Sequence, residues 1–217
     1  MIKTFYFNDL RTCCYIVYND TRECAIIDPG CYKKSEQDRI VKFIGDNGLT
    51  PVMIIQTHGH FDHVMGNAFV SERWNIPTYL ASEDLPQLKR ASSYGSYFGY
   101  EFAQPDGEIR DMKDGDIIRF GNTELEVRSS PGHTAGGVLL YNRKEGYVFT
   151  GDTIFKGSIG RTDLPGGDYN LLAESIRTKV MTLPPDTVIY PGHGPATDVG
   201  TEINTNPFLE PIRPQID

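Results

Sequence analysis

The stretch Thr57-His58-Gly59-His60-Phe61-Asp62-His63 decides the fold of this chain. It holds three of the five histidines within six residues and directly follows the apolar run of residues 52–55. The other two histidines stand in similar phrases, Pro131-Gly132-His133 and Pro191-Gly192-His193. Neutral imidazole is the commonest metal ligand in proteins. Because no histidine lies outside these phrases, the sequence predicts a metal site.

The local geometry of the first phrase supports this prediction. Residues 52–55 follow Pro51 and are apolar throughout, which is typical of a buried strand. His58 and His60 are two residues apart, so in extended backbone both rings project to the same side. Asp62 and His63 follow where the chain is expected to turn into a helix. They could therefore face a second ion beside the first.

The remaining candidate ligands each follow a predicted strand, and strand ends converge on one edge of a sheet, where a rigid frame holds the loops. The strands are residues 124–128 before His133, 147–149 before Asp152 and 187–190 before His193. Five histidines and two aspartates exceed the four ligands of a structural zinc site. They suit two ions that share one carboxylate and one water.

Taken singly, each candidate has an ordinary explanation. Asp62 could be the N-cap of a helix, Asp152 could be a turn residue, and His133 and His193 could be packing residues. Their joint placement at strand ends and turns favours metal binding over these separate explanations.

The other patterns predict one layered α/β domain over residues 1–217, with two sheet-containing halves and helices outside. Further strands are expected at residues 13–18, 24–27 and 138–141. One helix should begin near Ser35, with Ser35 and Asp38 as its capping pair. Another should be capped by Asp168 and carry Leu172, Ile176 and Val180 on one face. Shorter helices are expected at residues 66–74 and 82–91.

Charge and composition exclude several classes of partner. A net charge of -8 on 217 residues and the lack of a basic cluster argue against a nucleic-acid binder. No apolar stretch approaches the roughly 20 residues of a membrane span, and the N-terminus does not resemble a signal peptide. We therefore expect a cytoplasmic protein.

The four cysteines, Cys13, Cys14, Cys24 and Cys31, form no C-x-x-C pair. They are expected to be reduced and buried, with a functional thiol at Cys31 left open.

The seven candidate ligands resemble the signature of the metallo-β-lactamase superfamily, with the ligands in the same order along the whole chain. The phrases Ile27-Asp28-Pro29-Gly30 and Gly157-Ser158-Ile159-Gly160-Arg161-Thr162-Asp163 are similar to the short glyoxalase II branch, the hydroxyacylglutathione hydrolases. The resemblance implies an αββα sandwich. It implies His58, His60 and His133 on one ion, Asp62, His63 and His193 on another, and Asp152 as the bridge.

The resemblance also implies that Asp28 orients a ligand histidine from behind the site; a plain Asp-Pro-Gly turn explains Asp28 equally well. The ions are expected to be zinc, although such ligands also accept iron or manganese. Two ions about 3.5–4 Å apart lower the pKa of a bridging water toward about 7. The implied reaction is attack of that hydroxide on a thioester such as S-lactoylglutathione, with Asp62 and Asp152 acting through the ions.

Three features depart from full-length glyoxalase II. The chain ends at Asp217 without a C-terminal helical glutathione-binding domain, and Arg161 and Asp163 stand where a lysine and a tyrosine are typical. Arg161 keeps a cation that could bind a substrate carboxylate. Asp163 adds a negative charge in place of the tyrosine, so an acyl-thiol other than a glutathione thioester could be the substrate. The aromatic segment of residues 94–102 is interpreted as packing beneath a loop; a pocket wall, a lid or a homodimer surface are the alternatives.

Two other functions remain open at this stage. A persulfide dioxygenase of the same fold would use a single iron at His58, His133 and Asp152 and consume oxygen. The presence of Asp62, His63 and His193 favours the two-metal hydrolase over it. The non-enzymatic alternative is a metal-stabilised binding module, but a structural zinc site is closed by four protein ligands, whereas seven candidates leave room for water.

Overall fold

Two mixed sheets face each other in the computed structural model, which describes residues 1–212. In the first sheet the strands lie side by side in chain order, antiparallel from β1 to β3 and parallel from β3 to β6. Its strands are β1 (Ile2–Phe7), β2 (Thr12–Tyr18), β3 (Glu23–Ile27), β4 (Thr50–Ile55), β5 (Thr78–Leu80) and β6 (Ile109–Asp111).

The later part of the chain forms the second sheet and a short separate hairpin. The strands of the second sheet are β7 (Ile117–Phe120), β8 (Thr123–Ser129), β9 (Val138–Asn142), β10 (Tyr147–Gly151), β13 (Val188–Pro191) and β14 (Thr197–Asp198). The separate hairpin consists of β11 (Ile154–Phe155) and β12 (Ser158–Ile159). The order across the sheet is β14-β13-β10-β9-β8-β7. Strand β13 runs parallel to β10, which places the ends of both strands at the same edge.

Helices cover the outer face of each sheet. They are α1 (Lys34–Asp46), α2 (Phe61–Val64), α3 (Asn67–Trp74), α4 (Leu85–Leu88), α5 (Ala91–Ser96), α6 (Tyr169–Ser175), which continues as a π-helical turn at Ile176–Val180, and α7 (Val199–Thr205). Ile40 of α1 and Val70 of α3 pack on the first sheet, whereas Leu172 of α6 and Val199 of α7 pack on the second. The predicted αββα sandwich is confirmed.

Strand β2 shows why the central strands of the first sheet are apolar on both faces. Successive side chains of a strand point to opposite faces. Cys13, Tyr15 and Val17 therefore enter the core between the two sheets, while Cys14 and Ile16 enter the core beneath α1. Both faces are covered, so alternation between apolar and polar residues is absent.

The first helix starts where the sequence predicts but is capped by a different residue. Helix α1 begins at Lys34, and Ser35 and Asp38 do not cap it. Instead the Glu36 carboxylate accepts hydrogen bonds from the backbone N–H groups of Asn8, Tyr32 and Lys33 at 2.8–2.9 Å. Glu36 therefore ties α1 to the first hairpin, a contact across 28 residues that local spacing does not reveal.

The helix predicted over residues 82–91 is wrong as a single element. A 3₁₀ turn at Ser82–Asp84 precedes α4, and α5 starts separately at Ala91. Pro86 lacks an amide hydrogen and fits only the first turn of a helix, so α4 begins beside it. The helix capped by Asp168 is confirmed, since its carboxylate accepts from the N–H groups of Asn170 and Leu171.

Direct contacts join the two sheets at one edge. The N–H of Cys13 donates to the carbonyl of Gly192 at 2.7 Å, and Thr12 forms an isolated bridge with His193. The N–H of Val138 donates to the carbonyl of Thr57 at 2.9 Å. The loops at this edge are thereby held in a fixed relation. Among residues 1–212 no helix is long and apolar enough to cross a membrane.

Candidate metal centre

All seven predicted ligands meet at the edge where the sheets are joined. His58 and His60 follow β4, and Asp62 and His63 lie in α2. The other three follow strands of the second sheet: His133 after β8, Asp152 after β10 and His193 after β13. Asp152 and His193 are half-buried and the other five are buried. The fold thus brings together residues that are up to 135 positions apart (193 − 58).

The first ligand group consists of His58, His60 and His133. One ring nitrogen from each lies within 4.8 Å of the others. The Nδ1 of His60 and the Nε2 of His133 are 2.8 Å apart. Two lone pairs at that distance repel unless a proton or a cation lies between them. Within the described residues, the buried Nε2 of His58 has no hydrogen-bond partner.

The second ligand group consists of Asp62, His63 and His193. The Nε2 atoms of His63 and His193 are 3.3 Å apart, and they lie 3.4 Å and 3.3 Å from Oδ2 of Asp62. A tetrahedral ion with bonds of 2.0–2.1 Å separates its ligands by about 3.3–3.4 Å. The spacing of this group therefore matches one tetrahedral ion.

Asp152 lies between the two groups. Its Oδ1 is 3.4 Å from Nε2 of His63, and its Oδ2 is 3.5 Å from Nε2 of His133 and 3.6 Å from Nε2 of His193. In the part of the chain described, buried Oδ1 accepts no hydrogen bond. A buried carboxylate oxygen without a partner is costly, so the donor set and its orphaned atoms fit a pair of divalent ions.

Each ligand histidine but His60 is oriented by a partner behind it. The Nδ1 of His63 donates to the carboxylate of Asp28 at 3.0 Å. Backbone carbonyls do the same for two others: Arg161 accepts from Nδ1 of His133 at 2.8 Å, and Leu10 accepts from Nδ1 of His193 at 3.1 Å. These contacts turn each Nε2 and its lone pair toward the cluster.

Asp28 also reaches His58 through a hydroxyl. The Thr57 hydroxyl donates to Oδ2 of Asp28 at 2.6 Å, and it lies 3.0 Å from Nδ1 of His58. Asp28, His58 and His63 could by spacing alone hold an ion. Because Oδ2 of Asp28 already contacts Thr57 and His63, we assign Asp28 an orienting role. Its left-handed φ of 49° turns the carboxylate beneath the site.

Electrostatics separate the two ligand groups. Burial and the neighbouring His133 lower the pKa of His60 to about 4, and burial with His63 lowers the pKa of His58 well below its usual value. Burial also opposes protonation of His63, but Asp62, Asp152 and Asp28 outweigh it and raise its pKa. His58 and His60 are thus neutral at pH 7 and ready to ligate, whereas the second group attracts a positive charge.

The two aspartates of the cluster stay ionised. Burial raises the pKa of each, but the histidines outweigh it. The pKa of Asp62 falls to about 2, mainly through His63 and His193. The pKa of Asp152 lies well below its usual value, through His63, His193 and His133. The hydroxyl of Thr12 also donates to Oδ2 of Asp62 at 2.7 Å, which fixes that carboxylate.

Asp84 is a buried site residue that the sequence analysis missed. Its carboxylate accepts hydrogen bonds from the N–H groups of Gly59 and Gly136 at 2.8 Å and 2.7 Å, and from the Thr134 hydroxyl at 2.7 Å. Gly59 separates two ligand histidines and Thr134 follows a third. Asp84 therefore fastens both ligand loops to each other. This role of Asp84 is visible only in the folded structure, because its partners lie 25–52 residues away along the chain.

Two further expectations concern Arg161 and the four cysteines. The Arg161 side chain makes a two-pronged ion pair with Asp163 at 2.7 Å and 2.8 Å and is exposed. Its substrate-binding role stays a prediction. The four cysteines are buried and unpaired. Burial raises the pKa of the Cys31 thiol to about 12, which favours packing over a functional thiolate.

The aromatic segment packs beneath a loop only in part, so that interpretation is wrong for two residues. Tyr97 is 84% exposed and Phe98 is 59% exposed. The ring of Phe98 stacks on Phe61, which lies between two ligands, with the centroids 5.4 Å apart. Tyr94 contacts the same Phe61 ring edge-on at 5.9 Å. The segment therefore forms a wall beside the cluster.

Comparison with known proteins agrees with the geometry. Residues 8–193 match the family model described as the metallo-beta-lactamase superfamily. The probable metallo-hydrolase YqgX of Bacillus subtilis (strain 168) is 41% identical over 197 residues, which are 90% of each chain. The hydroxyacylglutathione hydrolase GloC of Haemophilus influenzae (strain ATCC 51907) is 34% identical over 90% of this chain and 92% of its own length.

A solved structure extends the comparison to three dimensions. The protein TTHA1623, crystallised in a di-iron-bound form, superimposes with a TM-score of 0.86 at 35% identity, over 95% of this chain and 100% of the other. The matches span nearly the full length of each partner, and they include the segment that carries the ligand cluster. This chain therefore belongs to the metallo-β-lactamase superfamily.

Proposed function

We propose that this protein is a metal-dependent hydrolase that cleaves a small acyl-thiol, a thioester of the S-lactoylglutathione kind. The observation that carries the proposal is the position of Asp152 between two complete ligand groups, with contacts of 3.4–3.6 Å to both. The family membership and the GloC relative support hydrolysis as the reaction class.

Two divalent ions fit the seven side chains. His58, His60 and His133 would hold one, Asp62, His63 and His193 the other, and Asp152 both; zinc is the first expectation, with iron and manganese as alternatives. When bound, such ions supply an activated water and a Lewis acid for a carbonyl oxygen. The TTHA1623 structure holds two irons, so the choice of metal is part of the experiment below.

The chain's own carboxylates at the site act as ligands and do not transfer protons. Asp62 and Asp152 stay ionised, because their pKa values lie at about 2 for Asp62 and well below the usual range for Asp152. Neither can therefore act as a general acid at pH 7. A thioester suits such a site, because a thiolate with a pKa of about 8.5 leaves without being protonated.

A single-iron persulfide dioxygenase is the competing assignment. It needs only His58, His133 and Asp152 of this cluster. Asp62, His63 and His193 would then be a second ligand group without an ion, although their mutual distances of 3.3–3.4 Å match the edges of a metal tetrahedron. This match favours the hydrolase.

The experiment combines metal analysis with a substrate panel. Protein purified without added metal should contain close to two ions per chain. It should hydrolyse S-lactoylglutathione or a related thioester and lose that activity on chelation. Restoring zinc, iron or manganese separately identifies the working metal. Oxygen uptake with glutathione persulfide, or a metal-loaded protein inert to the whole thioester panel, would overturn the proposal.

A further inference from the structure

A cleft of about 360 Å³ opens directly beside the ligand cluster. His60 and Phe61 form its inner end. Helices α4 and α5 form one wall, and the loop of residues 164–166 forms the other. The volume lies within the usual range for small-molecule sites. A surface depression of about 430 Å³ over β7, β8 and β9 contains none of the ligands, so it is not a rival for the substrate.

The two walls of the cleft are fastened across it. The amide nitrogen of Gln87 on α4 donates to the carbonyl of Pro165 at 3.3 Å. The walls are mostly apolar, with Phe61, Pro86, Ala91, Tyr94, Leu164 and Pro165 among the lining residues. A ligand that lies along them must therefore carry an apolar stretch next to its reacting carbonyl.

Two charged side chains also line the cleft, Glu83 and Arg90. Glu83 adjoins Asp84, which fastens the ligand loops. The Oε2 atom of Glu83 lies 3.4 Å from the hydroxyl of its neighbour Ser82. Arg90 lies at the start of α5, beyond α4 along the chain. Over residues 1–212 its guanidinium makes no ion pair and no hydrogen bond to another side chain or carbonyl. It is therefore a cation free to receive an anion.

Arg161 contrasts with Arg90. Its Nε and Nη2 atoms are both engaged by the Asp163 carboxylate, and the residue does not line the cleft. An arginine already paired in the two-pronged geometry has given its best-placed donors to that carboxylate. Arg90 lines the cleft without such a partner. Arg90 is therefore better placed than Arg161 to bind a substrate, although no sequence motif pointed to Arg90.

We propose that the cleft selects thioesters carrying a free carboxylate, with Arg90 as the specificity residue that binds it and the apolar walls holding the segment between carboxylate and thioester. The inference rests on the proposed function for its substrate class. The inference goes beyond that function, because it names Arg90 and a negative charge on the substrate, neither of which the hydrolase assignment requires. Glu83 limits the charge that fits, because a second carboxylate near it would be repelled.

The first test measures binding, which does not depend on turnover. S-butyl-N-acetylcysteine and its carboxamide share a skeleton and differ only in the carboxylate. Calorimetric titration of the metal-loaded protein should show tighter binding of the carboxylate. Arg90→Gln should weaken the carboxylate about five- to tenfold, as expected for a charged hydrogen bond at an exposed site, and leave the carboxamide unchanged.

Two further variants make the test decisive. Lys89→Gln removes a neighbouring exposed cation that does not line the cleft, and it should bind as the wild type does. Arg161→Gln tests the competing arginine. Selectivity that is lost in Lys89→Gln or Arg161→Gln but kept in Arg90→Gln would overturn the inference. Equal binding of acid and amide by the wild type would overturn it too, if neither the thiol-side nor the acyl-side acid is then preferred over its amide in turnover.

Turnover then locates the carboxylate and separates this inference from the function. S-butanoyl-N-acetylcysteine carries the carboxylate on the thiol side and S-butyl thiosuccinate carries it on the acyl side. Each is compared with its amide. The KM of the preferred acid should rise about five- to tenfold in Arg90→Gln with little change in kcat. Selective binding without hydrolysis of any thioester would refute the hydrolase and leave the carboxylate site standing.

Discussion

The ligand cluster and the cleft beside it are built in opposite ways. In the cluster, four of the five histidine rings have a partner behind them, and even the backbone carbonyls of Leu10 and Arg161 take part. In the cleft, one wall is made of helices of four and six residues, and the Phe61 ring that lines it is stacked on the exposed ring of Phe98. The ligand cluster is therefore the fixed end of the site, where the reaction takes place and the geometry is held. The cleft is the recognition end, whose shape can change.

The largest expected effect tests the fixed end at its centre. Asp152→Ala removes the carboxylate that contacts both ligand groups. We expect kcat/KM to fall by at least about 10³-fold, together with a loss of bound metal. Steady-state kinetics and elemental analysis measure both. Asp186→Ala, which changes an exposed turn aspartate, is the matched control. Full activity in Asp152→Ala would contradict the bridging role.

The next effect tests whether the partners behind the ligands matter. Asp28→Asn keeps the shape of the side chain but removes the charge that faces His63. Loss of such a contact typically weakens metal binding by about 10–100-fold. Competition with a chelator of known affinity measures the change, with the exposed Asp38→Asn as control. Unchanged metal affinity would mean that Asp28 only shapes its Asp-Pro-Gly turn.

A third change loosens the fixed end without touching a ligand. Asp84→Ala leaves the N–H groups of Gly59 and Gly136 and the hydroxyl of Thr134 without their acceptor. We expect the free energy of unfolding to fall by about 2–4 kcal/mol. Urea denaturation measures it, and Glu83→Ala should stay within about 0.5 kcal/mol of the wild type. An equal loss of unfolding free energy in both variants would contradict the role of Asp84 in fastening the ligand loops.

The smallest effect belongs to a ring that supports the cleft through Phe61. Phe98→Ala removes the ring that stacks on Phe61, whereas Tyr97 has no ring partner among the described residues. We expect KM to rise about two- to fivefold and stability to change by less than about 1 kcal/mol in Phe98→Ala. Tyr97→Ala should alter neither. A large loss of kcat in Phe98→Ala would show that the wall also controls the reacting end.

Much of the fixed end could be predicted from the sequence, because its signals are local. His58 and His60 share a side of extended backbone, and His133, Asp152 and His193 follow apolar strands. The same periodicity predicted seven strands of the two sheets and a layered arrangement with helices outside, but not β1, β5, β6, β7 or β14. The αββα order itself was implied by the family resemblance. Asp28, whose backbone is left-handed, could be placed behind the site only through the family resemblance.

The rest of the site could not be predicted, for two physical reasons. Asp84 and Arg90 stand in short polar stretches that look like exposed helix ends, and their importance comes from partners or space supplied by distant segments. The carbonyls of Leu10 and Arg161 act through backbone atoms, which every residue has. The prediction for Arg161 named the residue but relied on its side chain, whereas its carbonyl makes the contact with His133.

The loop that carries Arg161 has a consequence for how this enzyme can diversify. Its carbonyl orients His133, and three residues later the same loop supplies Leu164 to the cleft. Substitutions there alter recognition and ligand geometry at once, so few of them can be neutral. Helices α4 and α5 line the opposite wall without holding any ligand ring. New substrate preferences should therefore accumulate on the helical wall, and a library aimed at changing specificity should be confined to it.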